Sequence, residues 1–276
     1  MNFWILLLKL LDTRLASAPT AYGAFHIASC VLSLTLAFIL CYTYRKDKPD
    51  SVRKVVFAIS ALLVVLEVLK QINFSAGFPD GGGIEWNYQW YAFPWQFCSI
   101  PMYVGILQGI IKKGKVHDAL CGFLATYAVF AGICVMLYPT DVFTPTLFIC
   151  IQTMLCHGTM FPVGSYLIYS GHVQPKHKTF LGAMTVFAVA MFCAIVLNEV
   201  MYSSGILGGE TFNMFFISRH FASTLPVYGP LHEILSFPFN IIVYFLGFSA
   251  AAYVVFLLGR VFKRIVDSAK NKKQTA

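Results

Sequence analysis

The chain has 276 residues, of which 58% are hydrophobic and only 12% charged, with a mean hydropathy of +0.71. A water-soluble chain carries roughly 25% charged residues, so 20 basic and 12 acidic side chains are too few to solvate a surface of this size. This excludes a cytosolic enzyme, a disordered or collagen-like chain and a compact nucleic-acid-binding domain, and leaves a polytopic membrane protein. The net charge of +8 sits in short segments between long apolar runs. That distribution signals membrane orientation and no nucleic-acid partner.

The N-terminal stretch lacks the basic start of a signal peptide, and Lys9 and Asp12 interrupt its apolar core, although Ala16-Ser17-Ala18 would pass as a cleavage site. Ten apolar residues cannot span a bilayer that needs about 20. Residues 1–21 therefore read as an interfacial segment, with an uncleaved helix over 2–16 turning Lys9, Asp12 and Arg14 to water. Seven longer apolar stretches follow, at about 22–44, 55–74, 90–111, 119–138, 142–169, 179–201 and 237–259. Each is bounded by charges, Pro or Gly. In lipid the backbone must satisfy itself, so these are expected to be helices. The expected fold is all-α: a seven-helix transmembrane bundle forming one domain over 22–262, followed by a basic tail over 263–276.

Sixteen Lys and Arg residues fall in the segments 45–54, 112–118, 170–178 and the tail, against Lys9, Arg14 and Arg219 on the other side. The positive-inside rule then places the N-terminus outside and the C-terminus in the cytoplasm of a plasma-membrane protein. Two outer loops are long. Residues 75–93 are glycine-rich and then dense in Trp and Tyr, and 202–236 carries Gly205, Gly208, Gly209, Pro226, Gly229 and Pro230 with Arg219, His220, His232 and Glu233. Such loops are lids, re-entrant segments or ordered surface loops.

All eight cysteines fall in apolar stretches without a CxxC, and the seven histidines form no HExxH. No disulfide framework, metal or cofactor is expected. Intramembrane polar groups say more, because a charge at mid-bilayer costs about 2.5–3.5 kcal/mol on translocon scales. They are His26, Glu67, Lys70, Gln96, Gln108, Gln152, His157, Asn198, Glu199 and Asn240. By topology most lie in the outer half. They either line an outward-opening polar cavity or pair as glue between helices. In a cavity, Cys98 is the nucleophile candidate and His157 the base, with Glu67 or His26 as orienter, an arrangement able to carry an acyl group as a thioester.

The landmarks in order are Phe25-His26, Glu67-Val68-Leu69-Lys70, Phe93-Pro94-Trp95-Gln96-Phe97-Cys98, Tyr138-Pro139-Thr140-Asp141, His157-Gly158, Asn198 and Phe212-Asn213-Met214-Phe215. In these the chain resembles the YwaF-type bacterial integral membrane proteins, related to the animal transmembrane protein 164 acyltransferases. The resemblance implies a bundle of six or seven helices and transfer of fatty acyl chains between phospholipids. In the animal relatives it implies a cysteine and a histidine in the motif opening span three. Here Gln96 stands where the histidine is expected and Trp95 where the cysteine is. Cys98 takes that role only through a shift of three residues. His26, Glu67, His157, Asn198 and Asn213 match family positions.

The reading is thus a multi-pass membrane protein with an outward-facing site for lipid, leaning to phospholipid acyl transfer. Catalysis falls to His157 and Cys98. His26, Glu67, Lys70, Gln96, Asn198, Asn213 and Arg219 are the substrate-binding candidates, Arg219 as a bidentate phosphate donor. Membrane lipids are the expected partners. The alternatives are a transporter or a substrate-binding membrane subunit working with another membrane protein, and a purely structural bundle.

Overall fold

The computed structural model describes residues 3–44, 48, 50–77, 83–139 and 142–275, with side chains as far as Ala269. Arg45, Lys46, the Thr140-Asp141 pair, most of the glycine-rich run at 78–82 and the side chains of Lys270, Lys272 and Lys273 lie outside the described residues.

Helix α1 (Phe3–Leu11) ends five residues earlier than its sequence suggested. It buries Leu8 and Leu11 and leaves Phe3, Trp4, Leu6 and Leu10 exposed, an apolar face suited to an interface. The chain ahead of Ala16 prefers a short antiparallel run against 145–147. Leu15 N–H donates to Pro145 O and Leu147 N–H to Thr13 O, while Arg14 pairs with Asp12 at 2.8 Å.

Among the described residues, six helical stretches are long and apolar enough to cross a membrane. They are α2 (Ala24–Thr43), α3 (Asp50–Ser75), α5 and α6 (Lys115–Phe123 and Val129–Leu137), α7 (Leu147–Ser170), α8 (His177–Ser204) and the start of α10 (Phe237–Thr275). A π turn at Leu124–Ala128 joins α5 to α6 in one continuous rod. Helices α7 and α8 stop at Gly171 and Gly205, both at positive φ, the left-handed C-terminal cap that glycine adopts without penalty.

The stretch at 90–111 departs from expectation. It contains one-turn 3-10 helices at Trp90–Ala92 and Phe97–Ser99 and only the short helix α4 (Ile100–Ile110). Pro94 offers no N–H to a helix, and Pro101 fits a helix only in its first turn, so helix begins at the end of the FPWQFCSIP run. Hydropathy is blind to this break. The segment nonetheless runs the length of its neighbour. Gln71 near the end of α3 donates to Ala92 O, Gly105 lies against Ser60 and Gly109 against Phe57 with no room for a Cβ, and Arg53 donates to Gly109 O. Residues 92–110 thus descend α3 antiparallel from Gln71 to Arg53.

The connection between α8 and α10 is equally unlike a surface loop. Phe212, Met214, Phe215, Ile217 and Ser218 are buried, and the Phe215 ring packs against Phe97, Phe187 and Tyr244. Met214 pairs with Asn198, six residues or about 9 Å inside the end of α8. The chain therefore dips into the bundle before the short helix α9 (Tyr228–Ile234). A two-residue antiparallel pair, β1 (Ala76–Gly77) and β2 (Glu85–Trp86), tops α3.

Candidate functional site

A cavity of about 350 Å³ opens between α3, residues 98–102, residues 142–149 and α7, within the size range of ligand pockets. Its polar lining comprises Glu67, Lys70, Cys98, Ser99, Thr144, Gln152, Thr153, Cys156 and His157, and its apolar lining includes Leu63, Met102, Ile149 and Met160.

Glu67 organises the polar lining. Its Oε1 accepts from Lys70 Nζ at 2.8 Å and from Gln71 Nε2 at 2.8 Å, and its Oε2 accepts from Gln152 Nε2 at 3.2 Å. The same Gln71 amide donates to Ala92 O at 2.7 Å, tying the carboxylate to the start of the broken segment. Tyr88 OH donates to Gln71 Oε1 at 3.0 Å. Burial first, and then the Glu67 charge, raise the pKa of that phenol above its ordinary value. The pair Glu67–Lys70 is largely enclosed, with side-chain exposures of 6% and 17%. It persists because three donors, two from α3 and one from α7, replace the water the carboxylate lost.

Around this pair stand two thiols and an imidazole. Cys98 lies in the 3-10 turn that leads into α4, a position kept out of the α-helix by the two prolines. Lys70, Glu67 and Ser99 line the same cavity. Cys156 lies on α7, and Gln152 Nε2 sits 3.2 Å from its sulfur. His157 Nδ1 bonds the Thr153 carbonyl oxygen at 2.8 Å. An oxygen acceptor requires Nδ1 to carry the proton, so Nε2 holds the lone pair. Gly132 lets α6 approach here: a Cβ on it would lie 2.7 Å from His157 O.

Of the residues singled out from sequence, the structure brings Glu67, Lys70, Cys98 and His157 together on one cavity. Gln96, Asn198 and Asn213 are used elsewhere. Gln96 Oε1 accepts from Phe215 N and its Nε2 donates to Asn213 O, both at 2.9 Å. Asn198 binds Met214 the same way, receiving from its N–H at 2.7 Å and donating to its carbonyl at 3.0 Å. Asn213 Oδ1 accepts from Ser218 N, and its amide donates to Ala222 O. These three side chains supply the buried loop with the backbone partners that a helix would have provided. Phe215 and Phe216 adopt φ of +59° and +57°, a left-handed conformation costing about 1–2 kcal/mol per residue, which the amide brackets hold in place.

His26 is also a strut. Its Nδ1 accepts from Tyr22 N at 2.9 Å and its Nε2 donates to Met136 O at 2.9 Å, joining α2 to the end of α6. Arg219 is exposed and paired with Glu199 at 2.7 Å, beside His220, whose ring stacks on Tyr202. Sequence reasoning passed over Cys156 and Gln71 as site residues. Both stood in plain view, Cys156 next to His157 and Gln71 one turn beyond Glu67. Their relevance depends on the α3–α7 contact, for which no local signal exists. Among the described residues no three His, Cys, Asp or Glu side chains converge to hold a metal.

A helical membrane bundle in which a thiol from a broken segment, an imidazole and an ion pair line one cavity defines the class: a polytopic membrane protein with a polar site buried among its helices. Residues 21–260 match the TMEM164 family, and the chain belongs to that family. No curated protein and no solved structure matches the chain.

Proposed function

We propose that the protein transfers acyl chains between membrane lipids through Cys98, with His157 as base. The observation that carries this reading is that Cys98 and His157, far apart in sequence, line one cavity together with both polar and apolar side chains. An acyl ester entering along Leu63, Met102 and Met160 places its carbonyl beside the thiol. Attack by Sγ forms the C–S bond while the thiol proton passes to His157 Nε2. Collapse breaks the ester C–O bond, and His157 returns the proton to the departing lipid hydroxyl. A second lipid hydroxyl then reverses the sequence on the thioester, so protons and acyl group balance. Thr153 O holds the Nδ1 proton, so Nε2 is the atom that takes up and returns the proton.

The non-enzymatic alternative drew its strength from Gln96, which is not titratable. That side chain is engaged by Asn213 and Phe215, outside the reacting groups, and its identity says nothing about chemistry.

Residues 92–110 run beside α3 over most of its length, which supports a seventh crossing made partly of irregular backbone. Such backbone is tolerated at membrane depth where it faces protein or a cavity. Seven crossings agree with the Lys and Arg distribution, N-terminus outside and C-terminus in the cytoplasm of a plasma-membrane protein. The cavity then opens to the outer leaflet.

The test uses purified protein in nanodiscs with a labelled phospholipid and lysophospholipid acceptors. Transfer is expected in the wild type and in Cys156→Ala, and lost in Cys98→Ala and His157→Ala with unchanged thermal stability. Transfer surviving Cys98→Ala removes the thioester, and no transfer across a broad lipid panel overturns the reading.

A further inference from the structure

The Glu67–Lys70 pair is asymmetric toward the cavity. The carboxylate receives three donors, from Lys70, Gln71 and Gln152, and has little capacity left. The ammonium has three N–H donors, and its partner among the described residues is Glu67 Oε1 alone. Lys70 itself lines the cavity, so the side of the pair that still seeks partners is the cation. Ser99 also lines the cavity. The polar lining around Lys70 suits an anion.

Depth narrows the ligand. Helix α3 has 26 residues, about 39 Å, against a hydrocarbon core of about 30 Å. Lys70 is five residues, about 7.5 Å, inside its Ser75 end, which puts the ammonium near the boundary between headgroups and hydrocarbon. Leu63, two turns further in, begins the apolar lining. An anion that reaches Lys70 while its body lies against Leu63, Met102 and Met160 is the head of an amphiphile.

We infer that Lys70 is the headgroup anchor of this cavity, binding the phosphate of a glycerolipid whose chain runs along the Leu63–Met160 wall. This rests on the lipid reading of the site but not on turnover. Glu67 holds the ammonium in place, and Gln71 and Gln152 keep the carboxylate from competing with the phosphate. A charge-assisted hydrogen bond contributes about 1.5–3 kcal/mol, which corresponds to a preference of about tenfold or more for a phosphorylated over an uncharged lipid.

The experiment measures equilibrium binding of lysophosphatidylglycerol, monoacylglycerol of the same chain and inorganic phosphate to detergent-purified protein. Lysophosphatidylglycerol is expected to bind at least about tenfold tighter than monoacylglycerol. The preference should survive in Lys70→Arg and vanish in the double variant Glu67→Gln/Lys70→Met. That variant removes both charges together and so avoids leaving a buried carboxylate unpaired. Equal affinity for the two lipids in the wild type, or an undiminished preference in the folded double variant, overturns the inference. Inorganic phosphate binding as tightly as the lysolipid would make this a free-anion site and overturn the lipid assignment. Because the readout is binding, failure of acyl transfer leaves it intact, and its failure leaves the Cys98–His157 chemistry to be judged by transfer alone.

Discussion

Replacing Gln96 by Ala separates architecture from chemistry. In the wild type this amide makes two 2.9 Å hydrogen bonds to the buried loop. Removing it strips Phe215 N–H of its partner, while Asn213 O keeps the Phe216 N–H at 3.1 Å. An orphaned buried N–H costs about 1–3 kcal/mol and a lost ordinary hydrogen bond about 0.5–1.5. Polar contacts within membranes average nearer 0.6 kcal/mol each, which sets a floor of about 1. The strain at Phe215 and Phe216 adds to the tendency to release. The expected loss is about 2–4 kcal/mol, read as the shift in reversible dodecyl sulfate unfolding in mixed micelles. A loss below about 0.5 kcal/mol for Gln96→Ala would refute the bracket. Unchanged stability with lost acyl transfer would return Gln96 to the reacting groups.

Gly132→Ala forces a methyl to within 2.7 Å of His157 O and 2.8 Å of Met160 Cβ. Overpacking of this kind costs about 1–3 kcal/mol, and because α7 must shift, lower turnover at unchanged KM is expected alongside the lower unfolding midpoint. Glu67→Gln alone leaves Lys70 without its counter-ion, and breaking such a pair costs about 3–5 kcal/mol when fully buried. The unfolding midpoint should fall well below that of Glu67→Gln/Lys70→Met, and equal stabilities would contradict the pairing. Thiol labelling tests access: a small charged thiosulfonate should reach Cys98 through the cavity and spare fully buried Cys121, with bound lysophospholipid protecting Cys98. For orientation, cysteines placed at Lys113 and Glu85 should label from opposite sides of intact cells, Glu85 from outside. Labelling from one side removes the seventh crossing.

Much of this molecule was legible before any coordinates. Membrane residence follows from composition, because too few charges remain to hydrate a surface. The long helices follow from apolar runs bounded by Gly and charge, since backbone in lipid has only itself to bond. Glu67 and Lys70 announced each other by a spacing of three on one helix. The FPWQFCSIP run, with a proline near each end, already held the reason for the broken third segment, but a hydropathy window averages that reason away.

What Gln96, Asn198 and Asn213 do was decided by tertiary structure alone. In sequence each is a polar residue in an apolar stretch, and both readings, cavity wall and glue, are open to it. Only the descent of residues 212–218 into the bundle presents unpaired backbone for those amides to bind. The same holds for the site. Cys98, Cys156, His157 and Lys70 belong to three segments, and nothing local fixes which faces of α3, α4 and α7 meet. That depends on Gly105 and Gly109 closing α4 onto α3 and on Gly132 closing α6 onto α7. Close packing is a property of pairs of surfaces, and a single chain read in order contains only one member of each pair at a time.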